Sequence, residues 1–301
     1  MQAEALTTEP CDTHVAALHA RLDAFPYRTI ATRAGTVGYR SAGAPDGARV
    51  PLVLLHGIGS GAASWVAQLE GDTPAGAVFA WDAPGYGETS NVADTEPQAD
   101  AYADALEAWL DALGLAQVAL AGHSLGAIMA TKFASRAPHR VRGLFLCSPA
   151  GGYGKADPAV RVSKRDSRLA MLDKLGPEGM ARERSDNLVA PGAADLPRAW
   201  VKWNMGRVLP AGYRQATHLL SNGDVVGDLA QYVAANAGPV AVAVGAQDAV
   251  TTPSACQIIA DVACVPLQVI DGAGHASYIE TPDVLNAALA AWYGRITTGA
   301  R

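Results

Sequence analysis

From position 118 the chain reads VALAGHSLGAIMATKFASRA before Pro138. A short apolar run feeds directly into Gly122-His123-Ser124-Leu125-Gly126, and a helix-like pattern follows until the proline stops it. The pattern G-x-S-x-G alone occurs by chance in many chains. Here it has an apolar strand on one side and a helix on the other. Small flanking residues let the backbone bend sharply, which presents the serine hydroxyl above the end of a strand, close to the N-terminus of the next helix.

The surrounding rhythm repeats that unit. A helical lead-in is expected over 1–27, then a strand-rich stretch over 28–39 broken at Gly35 and Gly38, and a turn at Pro45-Asp46-Gly47. Strands are expected at 50–55 and 78–81, with a glycine-rich loop from His56 to Gly61 and a helix at 64–69 between them. A helix over 99–113 closes on Gly114, and strand 118–121, helix 125–137 and strand 141–147 follow. Residues 155–222 carry helical patterns without a convincing strand. After helix 225–236 the alternation resumes with strand 240–244, helix 253–260, strand 267–270 and helix 282–293. Such alternation predicts an α/β fold with a mostly parallel sheet covered by helices on both faces. One core domain is expected from 1–154 and 223–301, with 155–222 as an inserted helical cap.

Charge divides along the same line. The insertion holds 12 Lys or Arg against 7 Asp or Glu, and the rest of the chain holds 11 against 22. Three readings stay open: arginines on solvent-facing helices, a basic lid that draws in an anionic substrate, or a surface for self-association into a homo-oligomer. The overall charge of −6 argues against a dedicated nucleic-acid binder. No run of 18 apolar residues is present, so no membrane span is expected. The opening MQAEALTTEP has neither a basic segment nor an apolar one, so no secretory leader is expected there and cytoplasm is the default location. The four cysteines form no C-x-x-C pair, and Cys147 lies in an apolar run where a buried reduced thiol is expected.

A serine hydroxyl needs an imidazole to take its proton, and the imidazole needs a carboxylate to orient it. The strand at 240–244 runs into Gly245-Ala246-Gln247-Asp248, and the strand at 267–270 runs into Asp271-Gly272-Ala273-Gly274-His275. Asp248 and His275 thus follow the carboxyl ends of their strands, where open parallel sheets place ligands. Ser124, Asp248 and His275 are the candidate catalytic residues. The oxyanion donors are expected to be the backbone N–H groups of Leu125, just after the serine, and Ile58, in the loop after strand 50–55. His123 neighbours the serine, so its side chain is expected to point away from the reaction centre and to pack or hydrogen-bond beneath the turn. His56 is expected to shape the oxyanion loop. His14, His19, His139 and His218 have no supporting context. No His, Cys and acidic residues have metal-ligand spacing, and the glycines at 57 and 59 lack the partners of a phosphate or dinucleotide loop, so neither metal nor cofactor is expected.

Together these segments resemble the α/β-hydrolase superfamily, in its lid-bearing serine subgroup. The resemblance rests on His56-Gly57-Ile58-Gly59, Trp81-Asp82-Ala83-Pro84-Gly85-Tyr86-Gly87, Gly122-His123-Ser124-Leu125-Gly126, Gly245-x-x-Asp248 and Gly274-His275-x-x-x-x-Glu280-x-Pro282. It implies that 155–222 covers the pocket, that the Asp82 loop is structural, and that Glu280-x-Pro282 opens the last helix. The serine separates the chain from dehalogenases and epoxide hydrolases, which carry an aspartate there. Hydrolases of aromatic meta-cleavage products are similar in size and cap. They typically carry Ser-Met-Gly-Gly and Gly-His-Trp, where this chain has Ser124-Leu125-Gly126-Ala127 and Gly274-His275-Ala276.

The expected activity is hydrolysis of a small carboxylic ester or lactone through an acyl-enzyme, with C–C bond hydrolysis of a meta-cleavage or diketone type as the alternative. A non-catalytic binding protein and a cofactor-free oxygenase or perhydrolase on the same scaffold are the readings from other classes. For substrate contact the sequence offers Trp65 after the oxyanion loop, the pair Trp200 and Trp203, which share a helix face, and Arg207. Arg165 and Arg168 are further candidates to meet a substrate carboxylate, while Met171 and Met180 read as packing residues.

Overall fold

The computed structural model describes residues 10–298. The stretch expected to lack a leader therefore lies almost wholly outside the described residues. Helix α1 (Pro10–Leu22) precedes the antiparallel strands β1 (Arg28–Thr32) and β2 (Gly35–Gly43). Strand β3 (Leu52–Leu55) leads through a 3-10 turn to α2 (Val66–Glu70), then β4 (Ala77–Trp81) and α3 (Ala99–Ala112). Strand β5 (Val118–His123), helix α4 (Leu125–Arg136) and strand β6 (Val141–Cys147) follow. The excursion after β6 holds α5 (Pro158–Arg184), α6 (Asp195–Gly206), α7 (Pro210–Asn222) and α8 (Val225–Ala234). Strand β7 (Val240–Gly245), α9 (Pro253–Val262), β8 (Leu267–Ile270), the single-turn α10 (Ser277–Glu280) and α11 (Pro282–Thr298) complete the chain.

The eight strands form one sheet in the order β1-β2-β4-β3-β5-β6-β7-β8, parallel from β4 to β8. Alternate residues of each strand supply the two faces. Val53 and Leu55 of β3 pack into one buried cluster with α3 and α4, and Leu52 and Leu54 into the other with α11. That period of two, buried on both sides, explains why the strands read as continuous apolar runs. Gly38 does not break β2. Its N–H donates to Thr89 Oγ1, and the Tyr27 hydroxyl occupies the space a Cβ would need. Among the described residues no helix is long and apolar enough to cross a membrane.

Strand order turns at β3. The chain steps from β3 to β4 on one side, then returns to lay β5 on the other. The connections after β3 and β5 leave to opposite sides at this point, and a crevice opens between the loops that begin them. Leu55 pairs with Gly122, so the loop starting at His56 and the turn at Ser124 are neighbours there.

Two glycines make this neighbourhood possible. A Cβ on Gly126 would collide with the backbone carbonyl of Leu55, and one on Gly122 with the backbone of Gly126. Gly126→Ala gains helix propensity of about 1 kcal/mol. It loses more, because two backbone segments and no flexible side chain must move. We expect a net destabilisation of about 2–3 kcal/mol, read as a lower denaturant midpoint with unchanged slope. A midpoint equal to wild type would show that the turn has slack.

Candidate active site

Ser124 takes φ 51° and ψ −114°, a region rarely used by a residue with a side chain. Such torsions cost about 1–3 kcal/mol and persist only where neighbours enforce them. Here the Ser124 N–H donates to the Cys147 carbonyl at 3.0 Å, and its own carbonyl accepts from Ala127 at 3.0 Å and Ala150 at 3.1 Å. The strain aims the hydroxyl at a cavity of about 530 Å³ that Gly57, Ile58, Ser124, Leu125 and His275 all line.

Asp248 follows β7 and His275 follows β8. His275 Nδ1 lies 2.9 Å from Asp248 Oδ2, and both side chains are buried. The other carboxylate oxygen, Oδ1, accepts the N–H groups of Val250 and Thr251, each at 2.8 Å. Burial by itself would raise the Asp248 pKa. The hydrogen bond and charge of His275, with those two amides, outweigh it and bring the group down to about 2. Asp248 is therefore an acceptor on both oxygens, which holds the His275 proton that faces it on Nδ1 and directs Nε2 away from the carboxylate. Ser124 Oγ makes no hydrogen bond to His275 here, a looseness common before a substrate closes a site.

Thr251 escaped the sequence reading. Its Oγ1 lies 2.9 Å from Asp248 Oδ2, 3.1 Å from His275 Nδ1 and 3.0 Å from the Ser148 carbonyl, so it braces the pair against the end of β6. The only signal was its place three residues after the carboxylate, where an Asp-led turn ends.

His123 does hydrogen-bond as expected, but its side chain meets the candidate base and does not point away from it. It lies against His275, with ring centroids 4.8 Å apart, and its Nε2–H donates to the His275 carbonyl at 2.9 Å. Burial and the neighbouring His275 lower its pKa to about 3, so it stays neutral beside a protonated His275. His56 fixes the loop after β3: Nδ1–H donates to the Gly57 carbonyl, and Nε2 accepts from the Ala83 N–H. The Asp82 carboxylate accepts from the Ala62 N–H and the Tyr27 hydroxyl, tying the loops after β3 and β4 together. Among the described residues neither the Ile58 nor the Leu125 N–H donates to a protein acceptor. Glu280 ends α10, and Pro282 opens α11. The Glu280 carboxylate accepts from Gly274 and Ala190 and fastens the His275 loop to the segment before α6.

The tryptophans expected at the substrate lie elsewhere. Trp65 is buried against Tyr278, with ring centroids 4.3 Å apart, and does not line the cavity. Trp200 and Trp203 do share a face and stack at 4.5 Å, but that face meets α1 through His19, Leu18 and Leu22. Arg207 lies over the Trp203 ring at 4.1 Å, outside the cavity. The cavity face of α6 is Val201, Asn204 and Met205, rotated about a third of a turn from the indoles. Arg165 pairs with Asp166, whereas Arg168 and Arg184 both line the cavity. Cys147 is buried, its thiol pushed up to about 12 by burial, and does not line the cavity. Among the described residues no three His, Cys, Asp or Glu side chains are placed to hold a metal ion.

Residues 50–282 match the family model described as alpha/beta hydrolase fold. The chain is 31% identical over 147 residues to a human (lyso)-N-acylphosphatidylethanolamine lipase, a stretch covering 44% of this chain and 43% of that protein. It is 34% identical over 155 residues to the abhydrolase domain-containing protein abhd-5.2 of Caenorhabditis elegans, covering 50% of this chain and 35% of the other. Each match thus spans less than half the length of the curated relative. Its fold is similar to that of a thermophilic esterase from Thermogutta terrifontis, with a TM-score of 0.77 at 24% identity over 90% of this chain and 99% of that one. It is similar also to an enol-lactonase from Burkholderia xenovorans, with a TM-score of 0.75 at 20% identity over 89% of this chain and 100% of that one. With three-quarters of its length matched by that family model and its sheet, elbow and loops arranged as described, the chain belongs to the alpha/beta hydrolase family.

Proposed function

We propose that this protein is a serine hydrolase that cleaves a small carboxylic ester or lactone through an acyl-enzyme. The observation that carries the reading is the strained Ser124, facing a cavity shared with a His275 whose Nδ1 is held by a buried, ionised Asp248. His275 Nε2 takes the Ser124 proton as Oγ attacks the substrate carbonyl carbon. Asp248 holds the required tautomer and stabilises the imidazolium. The tetrahedral oxyanion rests on the unengaged N–H groups of Ile58 and Leu125, each worth roughly 3–4 kcal/mol in comparable sites. His275 then protonates the leaving group and activates water against the acyl-enzyme. His123 stays neutral through these steps and adds no second charge beside the imidazolium.

Helices α5, α6 and α7 act in this reading as the cap. Arg168 and Arg184, Val201, Asn204 and Met205, and Tyr213 and Leu220 supply cavity wall above the strand ends. A cavity of about 530 Å³ suits a small-molecule substrate.

The test is a hydrolysis panel on purified protein: 4-nitrophenyl esters of rising acyl length, several lactones, and one aromatic meta-cleavage dienoate. Turnover of esters or lactones is expected. Dienoate turnover with negligible esterase activity would replace this reading with C–C bond hydrolysis, and silence across the panel would remove it.

A further inference from the structure

We infer that Arg168 and Arg184 form an anion site in the cavity wall, which holds a carboxylate or phosphate of the substrate remote from the bond that is cleaved. The two side chains are 16 positions apart on one helical segment, and a straight helix would separate them by about 24 Å. They are brought together by a break. Gly176 takes φ 61° and ψ 177°, Pro177 follows, and α5 folds back on itself there. The return is close enough for Arg184 Nη1 to reach the sulfur of Met171 at 3.2 Å.

Neither guanidinium has a carboxylate partner among the described residues. Three other arginines of this region do have one: Arg165 pairs with Asp166, Arg214 with Asp173, and Arg198 with Asp186. Arg184 has only a thioether, which is a weak acceptor. Burial and the charge of Arg168 both lower its pKa, so the pair repel one another in a half-buried position. Lys155 adds positive charge at the cavity edge, and the cavity's Asp224 is turned to its own helix, accepting from the Gly227 N–H. Two like charges facing one cavity without a counter-ion are unfavourable in themselves. An anion that bridges them removes the repulsion and takes charge-assisted hydrogen bonds from two planar donor sets. Tyr213 lines the same wall and is near enough to Arg184 to feel its charge.

This anion site takes its substrate from the hydrolase reading above, yet its binding can be measured without turnover. The first arm compares kcat/KM for the mono-4-nitrophenyl ester of glutaric acid with that for neutral 4-nitrophenyl butyrate. Arg168→Gln and Arg184→Gln should each lower the anionic-to-neutral ratio by about ten- to a hundredfold, chiefly through KM. Arg184→Lys should recover part of that loss, and Arg165→Gln should keep the wild-type ratio. The second arm titrates glutarate, and separately inorganic phosphate, into Ser124→Ala protein by calorimetry, with and without each Arg→Gln change. Binding that disappears with either arginine supports the site, and the anion that binds more tightly identifies its headgroup. If no ester is turned over but glutarate or phosphate still binds through the arginines, the hydrolase reading falls and the anion site stands. An unchanged ratio, or anion binding indifferent to both substitutions, overturns the proposal.

Discussion

Ser124→Ala lowers kcat/KM toward any ester found to be a substrate by about 10⁴- to 10⁶-fold, because removing the nucleophile leaves only binding and the oxyanion donors. The fold should survive the change. The hydroxyl caps no helix amide, and the unusual torsions are imposed by backbone bonds to Cys147, Ala127 and Ala150 that alanine keeps. Serine and alanine both carry a Cβ, so the strain at φ 51° is the same in either protein. Thermal unfolding should therefore move by less than about 2 °C while turnover collapses. That contrast separates loss of a nucleophile from loss of structure. If the variant kept more than about one-hundredth of wild-type kcat/KM, the attacking group would lie elsewhere. The buried Cys147 and Cys256, both with pKa raised to about 12 mainly by burial, would be poor substitutes.

Much of this arrangement is legible in the residues alone, and the parts that are not share a cause. Ser124, Asp248 and His275 each follow an apolar run that is a strand, and a parallel sheet brings all its strand ends to one edge, so local patterns suffice to gather them. Trp200 and Trp203 show the limit. Their spacing places them on one face of α6, but only the packing of α1 decides that this face turns from the cavity. Arg184 lies beyond a helix break whose angle no periodicity encodes, so its approach to Arg168 appears only in three dimensions. His123 is next to the serine in sequence, which argues for a side chain directed away from it. The His275 loop then wraps round to meet that side chain. Thr251 was invisible because a threonine in a polar turn has many uses, and this one matters for what its hydroxyl touches.

Asp248→Asn should cost about 10⁴-fold in kcat with little change in KM, and the reason lies in the two backbone amides on Oδ1. Val250 and Thr251 both donate to that oxygen at 2.8 Å, so an asparagine must present its carbonyl oxygen to them and not its NH₂. The NH₂ then takes the place of Oδ2, 2.9 Å from His275 Nδ1. A donor in that position requires Nδ1 to be unprotonated, which moves the imidazole proton to Nε2. His275 then meets Ser124 with a donor where the chemistry needs an acceptor, and the serine proton has nowhere to go. The geometry of the site is nearly unchanged, so binding persists while the chemical step fails. Nitrogen chemical shifts of the His275 ring should report the switch from Nδ1–H to Nε2–H directly. Acid stability gives a second reading of the same carboxylate. Its pKa is lowered in the fold to about 2 from the ordinary 3.8, so the native state binds that proton less readily than the unfolded chain does. The stability this contributes is full above the unfolded value and is lost as the pH falls through the folded one. The asparagine variant lacks that dependence, and its stability difference from wild type should narrow between about pH 5 and pH 2. A loss of less than about a hundredfold in kcat, with the ring still protonated on Nδ1, would mean that another group orients His275, and Thr251 would be the residue to test.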